Sequence, residues 1–445
     1  MAPVIYVANI MEDDMPQTLA QKRRATLTFV LLCLMAFIMY IDRTNLAVAA
    51  PVLSKELGFN KTSLGMLFSA FAVSYSCFMI PGGWYSDRIG ARKAMLIYGL
   101  VWSTATIATG MLSGFIALMV ARFVVGVGEA PIYPTAARMI AKTIPVSQRG
   151  SAQGMMHASG RLANALAPLI VTGLIVWSSW RITFILLGAL TIAFMVVMYF
   201  LLSESKKQVE AVDPDAVAEP KAIPVHWPTM LRKVWAPAAT CFCHGWVLWF
   251  FLNWIPSFFS ERYGLDISHV AIFSTFVLLG GTVGTAVGGM LSDWRYRVTG
   301  KLLRSRRDLI IFGFLSSILG LIPLMFTHDI MICALGLSFS FFCSELGDSP
   351  LWVIGTEVSK EHSATSAACT FFGMAVAGAV SPIIIGYLLD ISGGNWMIAF
   401  GASIFVLLLG PLLAMQIKLD EDDPRTAAEQ TEASAPTGKL AAVQR

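Results

Sequence analysis

Arg122–Pro134 reads RFVVGVGEAPIYP, an arginine and a glutamate set inside an otherwise apolar run of membrane length. Arg122 and Glu129 lie seven residues apart, about two helical turns, so on one helix they share nearly one face, about 10 Å apart along the axis. An ionisable side chain at the bilayer centre costs about 2.5–3.5 kcal/mol on insertion scales, so such groups turn to a bundle interior or a water-filled cavity and mark an ion or substrate pathway. The alternative is a structural ion pair locking two helices together. Gly126 and Gly128 suit close helix packing under either reading. Working outward, the stretch has a counterpart. Gly128, Glu129, Ala130, Pro131, Ile132 and Tyr133 are matched, at an offset of 219, by Gly347, Asp348, Ser349, Pro350, Leu351 and Trp352. Gly82, Gly83, Ser86 and Asp87 are matched, at an offset of 206, by Gly288, Gly289, Ser292 and Asp293. Pro168 answers Pro382, and Trp180 with Phe184 answers Trp396 with Phe400. Such doubling predicts two parallel repeats with a binding site near the midplane between them.

The 445 residues are 56% hydrophobic and 13% charged, which excludes a soluble globular domain and predicts an integral membrane protein. The apolar runs are helix-length rather than the alternating ten-residue segments of a barrel, so the fold class is all-α. Twelve spans are expected at 26–48, 63–84, 94–112, 115–137, 152–175, 180–202, 235–259, 269–292, 309–326, 330–353, 364–389 and 396–417. Residues 1–24 lack the apolar core of a cleavable signal peptide. The expected organisation is a tail at 1–25, a six-helix half at 26–202, a linker at 203–234, a second half at 235–417 and a tail at 418–445. The linker is polar and interrupted by Pro214, Pro220 and Pro224. With the N-terminus cytoplasmic, 25 of the 32 Lys and Arg fall on the cytoplasmic side and only Lys55, Lys61, Arg181 and Arg262 on the other. That bias predicts an even number of spans with both termini cytoplasmic.

All seven cysteines fall in apolar runs and read as packing residues; Cys241 and Cys243 have no partner at zinc-site spacing. No hydrolase, phosphate-loop or zinc-protease motif is present. No enzymatic activity, cofactor, metal or nucleic-acid partner is therefore expected. The expected state is a monomer in a bacterial inner membrane.

Gly82–Lys93, GGWYSDRIGARK, resembles the loop signature of the major facilitator superfamily through Gly83, Asp87, Arg88, Gly90, Arg92 and Lys93. The resemblance implies a twelve-helix fold of two six-helix halves, with Asp87 and Arg88 as gating residues. Tyr40, Ile41, Asp42, Arg43, Asn45 and Leu46, with Tyr75, Arg122 and the Gly126–Pro131 run, resemble the anion:cation symporter family across residues 26–417. Its members include proton-coupled carriers of sugar acids such as galactonate, glucarate and hexuronates. The resemblance implies that Arg43 and Arg122 meet the substrate anion, that Asp42 and Glu129 couple protons, and that Tyr40 and Tyr75 line the site.

The residue chemistry supports that division. Arginine presents a fixed fork of donors that matches a carboxylate and keeps its charge. Burial disfavours the charged form of a carboxylate and a nearby arginine favours it, so carboxylates held between those pressures can load and release protons. Further candidates are His244, Trp352 and Phe371 for substrate, and Asp348 either for second-half gating or coupling or for capping a helix break or pairing with a nearby donor. Arg161 is either a third anion-binding arginine or the partner of an acidic group. Phe371 and Phe372 stand where sugar-acid carriers often have asparagine. The expected function is therefore proton symport of an organic carboxylate, a sugar acid first, with an aromatic or dicarboxylic acid of the phthalate or 4-hydroxyphenylacetate type as the alternative. From another class, a nutrient sensor on a transporter scaffold would bind the anion without moving it.

Overall fold

Backbone polar groups inside hydrocarbon must find partners within their own segment, and the chain answers with helices. The computed structural model describes residues 19–144, 146–202, 226–359 and 363–419. The outer parts of both expected tails and most of the expected linker lie outside the described residues. The first half comprises span 1 Leu19–Leu57, span 2 Lys61–Ile89, span 3 Ala91–Met111, span 4 in two pieces Phe115–Glu129 and Ile132–Thr143, span 5 Val146–Trp177 and span 6 Trp180–Leu201. The second comprises span 7 Trp227–Tyr263, span 8 Ile267–Thr299, span 9 Leu302–Leu321 continued by Pro323–Phe326, span 10 in two pieces Ile330–Glu345 and Asp348–Glu357, span 11 Ser363–Ile391 and span 12 Trp396–Ala414.

Twelve passes are thus present among the described residues, eleven of them long and apolar enough to cross a membrane. Span 9 falls short in composition because Arg304, Arg306, Arg307 and Asp308 occupy its first turns and Pro323 interrupts its far end. Several helices run past their apolar segments; span 1 covers Leu19–Leu57 where 26–48 was expected, the helix continuing through Pro51 into the polar end Ser54–Leu57. Starts are capped by side chains: Asn60, Ser179, Asp266, Asp329 and Asn395 each accept a backbone N–H of the following turn, each cap contributing about 1 kcal/mol.

The expected doubling is realised in the packing. Span 3 packs on span 6 and span 9 on span 12, while the halves meet through spans 2 and 11, 5 and 8, and 1 and 7. One end of this interface is drawn tight by missing side chains. A Cβ on Gly65 would lie 2.2 Å from the Pro382 carbonyl oxygen, and one on Gly386 would lie 2.4 Å from that of Lys61. Asp390 of span 11 caps the start of span 2, accepting from Lys61 N (3.0 Å), Thr62 N (2.8 Å) and Thr62 Oγ1 (2.5 Å). Lys61 also pairs with Glu261 at the end of span 7.

Asp390→Ala removes all three of those bonds, each worth about 0.5–1.5 kcal/mol net, and is expected to open this end of the interface. Modification by an impermeant maleimide of a cysteine at Ser257, a position now buried, should accelerate about tenfold or more. An unchanged rate would show that the cap does not hold the halves together.

Candidate substrate and proton site

Span 4 breaks at Ala130–Pro131, where proline offers no N–H to continue the helix. That break leaves Glu129 as the last residue of its helix, fully buried. Glu129 Oε2 accepts from both Nε (3.1 Å) and Nη2 (3.0 Å) of Arg43 in span 1. The Arg43 guanidinium lies over the rings of Tyr40 (4.7 Å), Tyr75 (4.7 Å) and Phe71 (5.2 Å), an aromatic cradle that attracts a cation through the ring faces. Successive helical residues diverge by about 100°, so Asp42 cannot share that face with Arg43. It turns into the first half instead, its Oδ2 accepting from Trp102 Nε1 of span 3 (2.9 Å) and Thr191 Oγ1 of span 6 (3.0 Å).

Arg122 is buried, 3% exposed, with its guanidinium 5.2 Å from the Phe71 ring. Three buried atoms here have no hydrogen-bond partner: Arg122 Nε, Asp42 Oδ1 and Glu129 Oε1. The glycines explain how span 4 reaches its neighbours. A Cβ on Gly126 would lie 2.0 Å from Ser74 Oγ, and one on Gly128 would lie 2.6 Å from Trp102 N. The duplicated glycines near the ends of spans 2 and 8 press on the breaks themselves: a Cβ on Gly82 would meet Pro131 Cγ at 2.1 Å, and one on Gly288 would meet the Leu346 carbonyl oxygen at 2.3 Å.

The second half repeats the device with different chemistry. Span 10 breaks at Leu346–Gly347, so Glu345 ends one piece and Asp348 begins the next, where the helix N-terminus favours a negative charge. Arg161 of span 5 crosses between the halves to both acids, Nη1 to Glu345 Oε2 (3.2 Å) and Nη2 to Asp348 Oδ2 (2.8 Å). The fully buried His244 of span 7 faces their other oxygens, with Nε2 3.6 Å from Glu345 Oε1 and 3.4 Å from Asp348 Oδ1. Thr285 Oγ1 of span 8 donates to Glu345 Oε2 (2.9 Å).

His244 Nε2 and one oxygen of each acid lie within 4.8 Å of one another, a spacing that three ligands of a cation also adopt. Arg161 already supplies positive charge to both carboxylates. That leaves the cluster with less negative charge than two free acids would offer a divalent ion.

Of the remaining candidates, Trp352 and Phe371 stack at 3.5 Å between centroids. Arg88 lies over the Trp84 ring at 3.7 Å, at the end of span 2 and apart from the two charged clusters. The Asp87 side chain lies outside the described residues, whereas its repeat counterpart Asp293 pairs with Arg306 at 2.7 Å. Of the two roles the sequence allows Arg161, anion-binding arginine or partner of an acid, the structure gives it acidic partners. Glu345, Tyr133, Trp102 and Thr191 were not among the expected site residues. Glu345 had a legible signal, an acid three residues before Asp348 in an apolar helix. Tyr133 closes the centre, edge-on to Tyr40 at 6.3 Å and stacked on His157 at 4.5 Å, with its hydroxyl buried and unpartnered.

Two helical repeats, each with a span broken at buried charged residues, define a multi-pass membrane transporter. The family model described as Major Facilitator Superfamily matches residues 32–372, and the chain belongs to that superfamily. It is 35% identical to a probable sulfoacetate transporter, SauU, of Cupriavidus necator, over 91% of this chain and 97% of that one. It is 28% identical to the hexuronate transporter of Bacillus subtilis, over 85% of this chain and 92% of that one, and 28% identical to a D-galactonate transporter of Escherichia coli, over 89% and 98%. A crystal structure of a bacterial homologue of the human lysosomal transporter Spinster superimposes with a TM-score of 0.73 at 17% identity, covering 88% of this chain and 97% of that one. This likeness speaks to the fold.

Proposed function

We propose that this protein is a proton-coupled symporter that carries a small organic carboxylate inward across a bacterial inner membrane by alternating access, with both termini cytoplasmic. The Arg43–Glu129 pair carries the reading. An incoming carboxylate takes the Arg43 fork, and the displaced Glu129, buried and stripped of its counter-charge, takes a proton. Release reverses both steps, so substrate and proton travel together. Asp42, beside the same arginine but turned into the half, is the second proton-coupling carboxylate. Arg122, buried near both acids, supplies positive potential to the anion. Tyr40 and Tyr75 hold the Arg43 guanidinium in place, and the Asp87–Arg88 segment gates the cytoplasmic end. Sulfoacetate, hexuronate and galactonate, the substrates in the names of the relatives, are all carboxylates, and sugar acids remain within this class.

The test is uptake into proteoliposomes of labelled sulfoacetate, galactonate, glucarate, glucuronate, phthalate and 4-hydroxyphenylacetate under an inward proton gradient. Accumulation of at least one acid that collapses with a protonophore is expected. Specific binding with no flux at any gradient would sink symport and favour the sensor.

Asp348→Asn leaves Arg161 with Glu345 alone. As a second-half coupling or gating residue, Asp348 should then give a lowered accumulation ratio in the same assay. An unchanged ratio would remove Asp348 from the coupling machinery.

A further inference from the structure

We infer that the site between Arg43 and Arg161 binds a short doubly charged anion, one acid group on each guanidinium. This rests on the symporter reading and deepens it by naming the substrate class. Both arginines are the accessible members of their ion pairs. The Arg43 side chain is 12% exposed against none for Glu129, and that of Arg161 is 21% exposed against none for Glu345 and 6% for Asp348. A solute therefore meets two guanidiniums before it meets any of the three carboxylates, and each is a fork suited to a planar or tetrahedral acid group.

Tyr40 touches both the Arg43 guanidinium and the helix that carries Arg161. Tyr40 lies against Arg43 at 4.7 Å, and its ring also fills the space at Gly160, where a Cβ would stand 2.7 Å from Cδ2 and Cε2. Arg161 is the next residue. The Tyr133 hydroxyl reaches the same spot, 3.1 Å from that Cβ position, buried and without a partner, and so is free to donate to an anion. Tyr40 thus stands between the Arg43 guanidinium and the span 5 backbone that carries Arg161, and the inferred ligand passes this ring with a backbone of one or two carbons rather than six.

Charge balance points the same way. A dianion that takes both arginines releases Glu129 on one side and the Glu345–Asp348 pair on the other, and one proton on each side matches its two negative charges, so the site carries the same net charge before and after loading. Sulfoacetate, in the name of the probable sulfoacetate transporter, is a molecule of this kind, a sulfonate and a carboxylate on a single carbon.

The test is calorimetric binding to the purified full-length protein at pH 7.5, comparing sulfoacetate and malonate with acetate, methanesulfonate and galactonate. The dianions should bind about thirtyfold tighter than any monoanion. Arg161→Gln should bring sulfoacetate to within about threefold of acetate while acetate itself changes little, and Arg161→Lys should restore part of the preference. Galactonate binding as tightly as sulfoacetate would overturn the inference, as would an Arg161→Gln variant that weakens every acid equally. Should that variant elute aggregated on size exclusion, the unmodified protein's selectivity decides alone. Selective dianion binding without proton-driven flux would sink symport and keep this inference; proton-driven flux of galactonate alone would do the opposite.

Discussion

Glu129→Gln is expected to abolish proton-driven accumulation while substrate exchange across the membrane continues. Glutamine keeps the size of the side chain and an oxygen for Arg43 but cannot carry a charge or take up a proton. In the unmodified protein a gradient of one pH unit supports about tenfold accumulation of substrate for each coupled proton. With two coupled protons the limit is about a hundredfold, and two protons carried with a monoanion would also add about 2.3 kcal/mol per 100 mV of membrane potential. If Glu129 is the carboxylate that must be neutral for the loaded carrier to turn, the variant equilibrates substrate to equal concentrations and no further. Binding should be retained or tightened, because Arg43 no longer has a charged competitor. The measurement is paired: net uptake under an imposed gradient, and counterflow of labelled against unlabelled substrate without one. Undiminished accumulation would move the coupling role to Asp42 or to the Glu345–Asp348 pair.

Arg43→Gln is expected to weaken substrate binding by about 30- to 4000-fold, the range for truncating one member of a buried, hydrogen-bonded charge pair. Two costs combine in this variant. The substrate loses its charged fork, and Glu129 is left buried without the cation that now donates two bonds to it, a loss of about 3–5 kcal/mol in comparable pairs. The thermal midpoint should therefore fall as well, and the double variant Arg43→Gln/Glu129→Gln should recover most of that fall without recovering binding. Arg43→Lys keeps charge and loses the planar fork, so intermediate affinity is expected. Wild-type affinity in Arg43→Gln would assign the anion to Arg122 instead.

The contrast between these residues shows where sequence reasoning stopped. Asp42 and Arg43 are adjacent in the chain and were expected in one site, yet the helix sends them to different neighbours: Arg43 to Glu129 in span 4, Asp42 to Trp102 and Thr191 in spans 3 and 6. The expectation that Arg161 meets either an anion or an acid stayed open because its partners lie 184 and 187 residues away in the other half. The doubled glycines were legible as a repeat. Their purpose was not, because it is the approach of Pro131 and Leu346 that forbids a side chain there.

The sequence by itself determined the membrane class, the helical fold and the division into two similar halves. These follow from composition, run length and duplicated breakers, which are local properties that hydrocarbon enforces on any chain. Tertiary structure alone decided which charge neutralises which. A buried ion must find its partner across whatever helices pack beside it, and that partner is fixed by the three-dimensional closing of spans 1 on 4, of 5 on 8 and 10, and of 7 on 10, at distances along the chain that no local pattern records.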